Sequence, residues 1–325
     1  AYWGVFFRSD SGYAVQIYKN IGGVTTALRS VNVAGPTGNL RFEVFGTTLN
    51  LYFNDVLVTS VIDNSLTAAG AAGIRQSGGK LDDFAAIVAT PPPSQNAVLP
   101  FSDNFNRVNS GFLGPFWTER TGDAGIVNNS IGLYANDTSI VTVNGINESD
   151  VSISADINLI GTQEQFSSGL LARYSGPEDT NTYMARLFHS GGDSYAAQIW
   201  KNVGGVYTPL RSVSVASGQG TLRFDVVGNQ LQLFFNGELV ASTIDDSIAG
   251  PGMVGMRLAG GTADNFHVEE LIAPPVSNAT LPFADTFNRA DSSSLGEFWT
   301  EQAGDVGITN NAMVLYAGAT SIATL

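Results

Sequence analysis

Residues 222–237 read LRFDVVGNQLQLFFNG. Leu222, Phe224 and Val226 alternate with Arg223 and Asp225, and Leu231, Leu233 and Phe235 alternate with Gln230, Gln232 and Phe234. A period of two puts one face of each run in a core and the other in solvent, as in a half-buried antiparallel strand. Gly228-Asn229 joins the two runs, and Asn236-Gly237 ends the second. The latter pair suits a type I′ hairpin because both positions adopt positive φ at little cost. Outward from this hairpin, VSISADINL (151–159) alternates in the same way, and turn pairs recur at Gly22-Gly23, Asn54-Asp55 and Gly204-Gly205. No long window follows a helical period. Strands about every 8–12 residues with Gly or Asn turns between them predict an all-β chain of packed antiparallel sheets.

The same stretch also exposes a repeat. LRFDVVG at Leu222 has its counterpart LRFEVFG at Leu40, 182 residues earlier, and SYAAQIWKNVGGV from Ser194 matches GYAVQIYKNIGGV from Gly12 at the same offset. Residues 101–143 match 283–325 at 25 of 43 positions without a gap. The chain therefore reads as a window on a tandem array. Residues 1–90 are the back half of one unit, 99–273 a complete unit and 281–325 the front half of a third. Proline-rich linkers, 91–98 with Pro91–Pro93 and 274–280 with Pro274–Pro275 at its edge, are expected to be stiff and extended.

Composition limits the function classes. A hydrophobic share of 43% supports large cores. With 15 basic against 29 acidic residues, the net charge of −14 repels a phosphate backbone, so nucleic acid is not an expected partner. The absence of cysteine excludes disulfides and thiolate metal sites, and two histidines are too few for an imidazole cluster. No apolar run is long enough for a membrane-spanning helix. A Cys-free chain rich in Ser, Thr, Asn and Gly suits an extracellular or cell-surface protein of a bacterium or archaeon.

The unit opens with F-x-D-x-F-N-R, continues with L-G-x-F-W-T-E and I-x-N-N, and closes with Gly252-Met253-Val254-Gly255 and Asp264-Asn265-Phe266. In this order the motifs resemble the concanavalin A-like lectin/glucanase superfamily, in its laminin-G-like branch. The resemblance implies tandem antiparallel jelly-roll β-sandwich domains. It also implies that chain ends brought together by the fold could hold a structural calcium ion, here at Asp103 and Asp264, with Asp285 and Asp82 as their counterparts in the partial units. Hard carboxylate oxygens suit that ion; the alternative is that these aspartates cap turns or pair with Arg107. The glucanase motif E-x-D-x-x-E is absent, so no catalytic residues are expected.

A second candidate set is aromatic and faces outward. Trp200 falls in phase with Gln198, Phe234 with Gln232, Tyr18 with Gln16 and Tyr52 with Asn50, each ring on the polar side of its strand. Flat rings beside amides could stack on sugars, form a contact between units, or lie under a loop. His189 reads as a satisfied, partly buried histidine.

Two functions fit these features. Near-identical units in series suit a structural or adhesive filament whose partners are other copies of itself. They also suit a multivalent polysaccharide-binding protein. One packing expectation follows from the repeat. Leu40, Phe42, Val44, Leu49, Leu51 and Phe53 form an apolar row in the first half unit, and exposing it would cost many kcal/mol at about 25 cal/mol per Å². A segment equivalent to 283–325, from a preceding unit or a neighbouring copy, is expected to cover it.

Overall fold

The computed structural model describes all residues except 90–92, 134–137, 273–276, 278 and 293, and only the backbone of 302–305 and 316–319. Pro91, Pro92, Pro274 and Pro275 of the expected linkers lie outside the described residues. The described chain is all β, and its sheet pairings are antiparallel.

Six strands precede the central unit: β1 (Tyr2–Ser9), β2 (Gly12–Ile21), β3 (Val24–Val33), β4 (Leu40–Phe45), β5 (Thr48–Phe53) and β6 (Val56–Ile62). They form two three-stranded sheets, β1-β2-β3 and β4-β5-β6. The sheets pack face to face, with Val15 and Ile17 against Leu49, Leu51 and Phe53, and Phe6 stacks on Phe53 at 5.1 Å. This corrects the expectation of an outside cover. The back half carries strands of both layers, so Leu49, Leu51 and Phe53 are buried, Leu40 and Phe42 are half-buried, and only Val44 stays exposed.

The central unit begins with β7 (Phe101–Asp103), β8 (Trp117–Thr121), β9 (Ala124–Val127), β10 (Ser130–Leu133) and β11 (Ser139–Val143). It continues with β12 (Val151–Asn158), β13 (Ser167–Tyr174), β14 (Thr182–Gly191), β15 (Ser194–Val203) and β16 (Val206–Val215). It closes with β17 (Gln219–Val227), β18 (Gln230–Phe235), β19 (Glu238–Ile244), β20 (Met253–Leu258) and β21 (Thr262–Glu270). One sheet runs β19-β18-β17-β12-β21-β10-β9, with β7 also paired to β21; the other runs β16-β15-β14-β13-β20-β11-β8. Between them lies one continuous core that includes Ile153, Phe224, Leu233, Met256 and Phe266. This is a jelly-roll sandwich. The β18–β19 turn has φ of 53° at Asn236 and 86° at Gly237, the left-handed pair that a type I′ hairpin requires.

After the central unit come β22 (Thr300–Thr309) and β23 (Ala312–Thr324), one long hairpin. Successive units touch. A Cβ on Gly111 would come within 2.4 Å of Asn50 Oδ1 and 2.9 Å of Ser60 Oγ, so this glycine permits the close approach of the central unit to the first. On the other side, β19 packs on β22 and β23. Backbone bonds Gln95 N–Pro115 O and Ser277 N–Glu297 O, each 2.8 Å, fasten the segments that precede both units.

Candidate functional site

The inner residues of β14 and β15 include Tyr183, Ala185, Leu187, Ala197 and Ile199. Strand alternation therefore puts Met184, Arg186, Phe188, Gln198 and Trp200 on the outer face of the seven-stranded sheet. The register sets Arg186 opposite Gln198 and Met184 opposite Trp200. Arg186 Nε donates to Gln198 Oε1 at 2.8 Å, and Trp200 Nε1 donates to the same oxygen at 3.0 Å. The Arg186 guanidinium lies 4.5 Å from the Trp200 ring centroid, within cation–π range. Trp200 meets Tyr207 edge to face at 6.4 Å. The Tyr207 hydroxyl donates to Asp179, whose second oxygen accepts from Arg257 Nε at 2.9 Å. Ile140, Leu171, Tyr174 and Met184 are buried against Trp200 and Tyr207, so an apolar floor supports the polar network.

Beside this network a cavity of about 500 Å³ is lined by Gln165, Phe166, Ser167, Arg186, Arg257 and Gly260, among others. Burial, and then the neighbouring positive charge of Arg257, pulls the Arg186 guanidinium down to about 10, which leaves it charged at neutral pH. Trp200 and Gln198 were legible from alternation. Arg186, Arg257, Asp179 and Tyr207 were not, because they converge from four separate elements.

The outward aromatics do not form one surface. Gln232 and Phe234 belong to β18 and so to the opposite sheet, where the Arg223 guanidinium covers Phe234 at 3.7 Å. In the first unit, Arg41 covers Tyr52 in the same way at 3.8 Å. Gln232 is buried next to β19, the strand that meets the following unit. Its counterpart Asn50 meets Gly111 of the central unit. Tyr18 lies on the sheet equivalent to that of Trp200. It pairs in register with Trp3 and stacks on it at 5.7 Å, with the Arg75 guanidinium 5.1 Å from the Trp3 ring. In that sheet Val5 occupies the place opposite Gln16 that Arg186 holds opposite Gln198.

The aspartates proposed for calcium have other partners. Asp103 accepts from Arg107 Nη1 (2.7 Å) and Nη2 (3.0 Å), the Phe105 amide (2.8 Å) and Trp117 Nε1 (2.8 Å). Burial opposes ionisation of its carboxyl, but the bonds from Arg107, Phe105 and Trp117 outweigh it and hold the carboxyl below its ordinary range. Asp285 repeats the clasp with Arg289, Phe287 and Trp299. Asp264 and Asp82 each cap the amide of the next residue. Among the described residues, no group of three or more His, Asp or Glu side chains is placed to hold a metal ion. A carboxylate neutralised by arginine and fully hydrogen-bonded does not fit a calcium ligand, so Arg107 is the partner of Asp103. His189 stacks on Tyr195 at 4.9 Å, with Nε2 2.6 Å from Gly192 O, and is a satisfied structural histidine.

One acidic pair escaped the sequence reading. Burial, and then the charge of Asp123, pushes Glu119 up to about 8; burial pushes Asp123 to about 7 against the charge of Arg29 from the first unit. Asp123 is 2% exposed, and among the described residues neither of its oxygens has a hydrogen-bond partner. Asp123 is sealed where two units meet, and Glu119 is half-buried beside it.

No protein-family description matches the sequence, and no curated protein matches it. Among solved structures, the chain is similar to carbohydrate-binding module CBM66 from Bacillus subtilis, at 18% identity and a TM-score of 0.41, covering 48% of this chain and 96% of that one. It is similar to a Bacillus licheniformis beta-glucanase at 12% identity and a TM-score of 0.38, covering 53% and 98%. It is also similar to a legume lectin-like domain from Entamoeba histolytica at 16% identity and a TM-score of 0.36, covering 48% and 90%.

Proposed function

We propose that this chain is a non-catalytic polysaccharide-binding protein of a cell surface or extracellular matrix, with its sugar site on the outer face of the seven-stranded sheet of the central unit. The observation that carries the reading is the Gln198–Arg186–Trp200 cluster, whose Arg186 lines the cavity at Phe166 and Ser167. Aromatic faces cover the apolar C–H side of a sugar, and amides, hydroxyls and guanidinium groups bond its hydroxyls. Asp123, one of the two carboxyls with raised pKa, is buried against the first unit, and this supports binding without hydrolysis. A glycan array probed with the 325-residue chain tests the proposal. Reproducible binding should weaken about tenfold or more, roughly 1.4 kcal/mol, in Trp200→Ala and persist in Phe234→Ala, on the other sheet. Binding to no glycan, or equal loss in both variants, would overturn it.

A structural reading is supported by a separate observation, the contacts that join successive units at Gly111 with Asn50 and at β19 with β22 and β23. Such contacts would stiffen an array that displays sugar sites at a fixed spacing. In electron micrographs of the purified chain, a constant angle between units supports that role, and freely pivoting beads oppose it.

A further inference from the structure

We infer that the cavity at Arg186 and Arg257 selects an acidic sugar, one bearing a carboxylate or a sulfate ester. The inference rests on the polysaccharide-binding reading above and narrows its ligand class.

The first ground is a local reversal of charge. The chain carries a net −14, yet this face holds Arg120, Arg186 and Arg257, and among the described residues the one carboxylate bonded to any of them is Asp179, on Arg257. Arg120 bonds Thr142 Oγ1 and Met253 Sδ, both neutral. Among the described residues Arg186 bonds only Gln198 and Ser167, also neutral.

The second ground is a charge left without a counterion among the described residues. Placing a guanidinium in a partly buried site without an anion is costly, and the neighbouring Arg257 adds like-charge repulsion. Arg173, the buried arginine of the unit, is saturated. All three of its nitrogens are bonded, to the carbonyls of Ser149, Ile248 and Gly228 and to Asp150. By contrast, Arg186 Nη2 and both terminal nitrogens of Arg257 make no hydrogen bond to the described residues, and both side chains line the cavity. Two planar forks with free donors beside a cavity match the oxygens of a carboxylate or sulfate, which guanidinium binds in bidentate fashion. The Phe166 ring on the same wall offers an apolar face to the sugar ring.

The third ground is the partial unit. With Val5 in the register place of Arg186, the face of the first unit keeps an aromatic pair and lacks one of the two forks. Charge selectivity therefore belongs to the central unit.

The test is binding of the full 325-residue chain, by titration calorimetry, to polygalacturonate and its methyl ester and to dextran sulfate and dextran, at about 50 mM and about 200 mM salt. The expected result is that at least one charged polymer binds about tenfold or more tighter than its neutral counterpart. The arm that responds separates carboxylate from sulfate. Arg186→Met should abolish the preference, Arg186→Lys should retain part of it, and Arg223→Met, on the opposite sheet, should change nothing. Thermal melting of each variant confirms that the fold is kept. Equal affinity for charged and neutral polymers, or a preference that survives in Arg186→Met, overturns the inference. The broader reading still stands if Trp200→Ala weakens binding in that case. Failure of the chain to bind any of the four polymers or the array overturns both.

Discussion

Residues 71–88 and 253–270 are the same segment 182 positions apart, with Gly73-Ile74-Arg75 matching Gly255-Met256-Arg257 and Asp82-Asp83-Phe84 matching Asp264-Asn265-Phe266. In the central unit the segment forms β20 and β21, and Met256, Phe266 and Val268 are buried. In the first unit it forms no strand, and Ile74, Leu81, Phe84 and Val88 are exposed, Phe84 at 56%. The two stretches are identical at 6 of 18 positions, and a further difference lies in their partners. β20 sits between β13 and β11, and β21 between β12 and β10 with β7 alongside. All of those strands come from earlier parts of the same unit. A strand satisfies its backbone groups only through neighbours, and alternation alone cannot supply them. The third unit teaches the same lesson in reverse. The counterparts of β8 to β11, which divide between two sheets in the central unit, run together as the single hairpin β22–β23.

The widest difference should appear in amide hydrogen exchange. Amides of β20 and β21 should be protected roughly 10³-fold or more over those of 71–88, since only the former open with the global unfolding of a sandwich. Comparable protection of both segments in mass spectrometry would break the comparison. Truncating the same aromatic in each should separate them again. Phe266→Ala should cost about 3–5 kcal/mol in chemical denaturation and Phe84→Ala less than about 0.5 kcal/mol.

The clasp shared by both front segments gives an intermediate effect. Asp103→Ala leaves Trp117 Nε1 without its acceptor and Arg107 with only the Leu113 carbonyl, and should cost about 2 kcal/mol in the central unit. Chelator should shift the melting temperature by less than about 1 °C, because a bound ion would appear there through mass action.

The boundary between the first two units should respond to pH. Glu119 and Asp123, raised to about 8 and about 7 in the folded state, hold protons there that the unfolded chain releases near its ordinary carboxylate range. The contribution of this pair is therefore greatest below that range and falls as pH rises from about 5 to about 8.5. Melting curves across this window should show the decline, and Glu119→Gln should flatten it.

The candidate site was legible in part. Alternation marked Trp200 and Gln198 as outward, and the Asp103–Arg107 pairing was among the readings of F-x-D-x-F-N-R. The division of Trp200 from Phe234 between opposite faces was hidden, because phase within a strand does not say which sheet the strand joins. Arg186 and Arg257 are 71 residues apart in sequence and share a cavity only because β14 and β20 flank β13. The cover over Leu49, Leu51 and Phe53 was misjudged for the same reason, since one half unit contributes to both layers.

By itself, the sequence determined the strands, the turns that need positive φ and the period of the array, because these follow from local sterics and from which side of each strand is apolar. Tertiary structure decided which copy of a segment becomes a strand, which aromatic shares a face with which arginine, and which carboxylates lose their water between units. Those outcomes depend on neighbours that arrive from distant parts of the chain, and only packing brings them together.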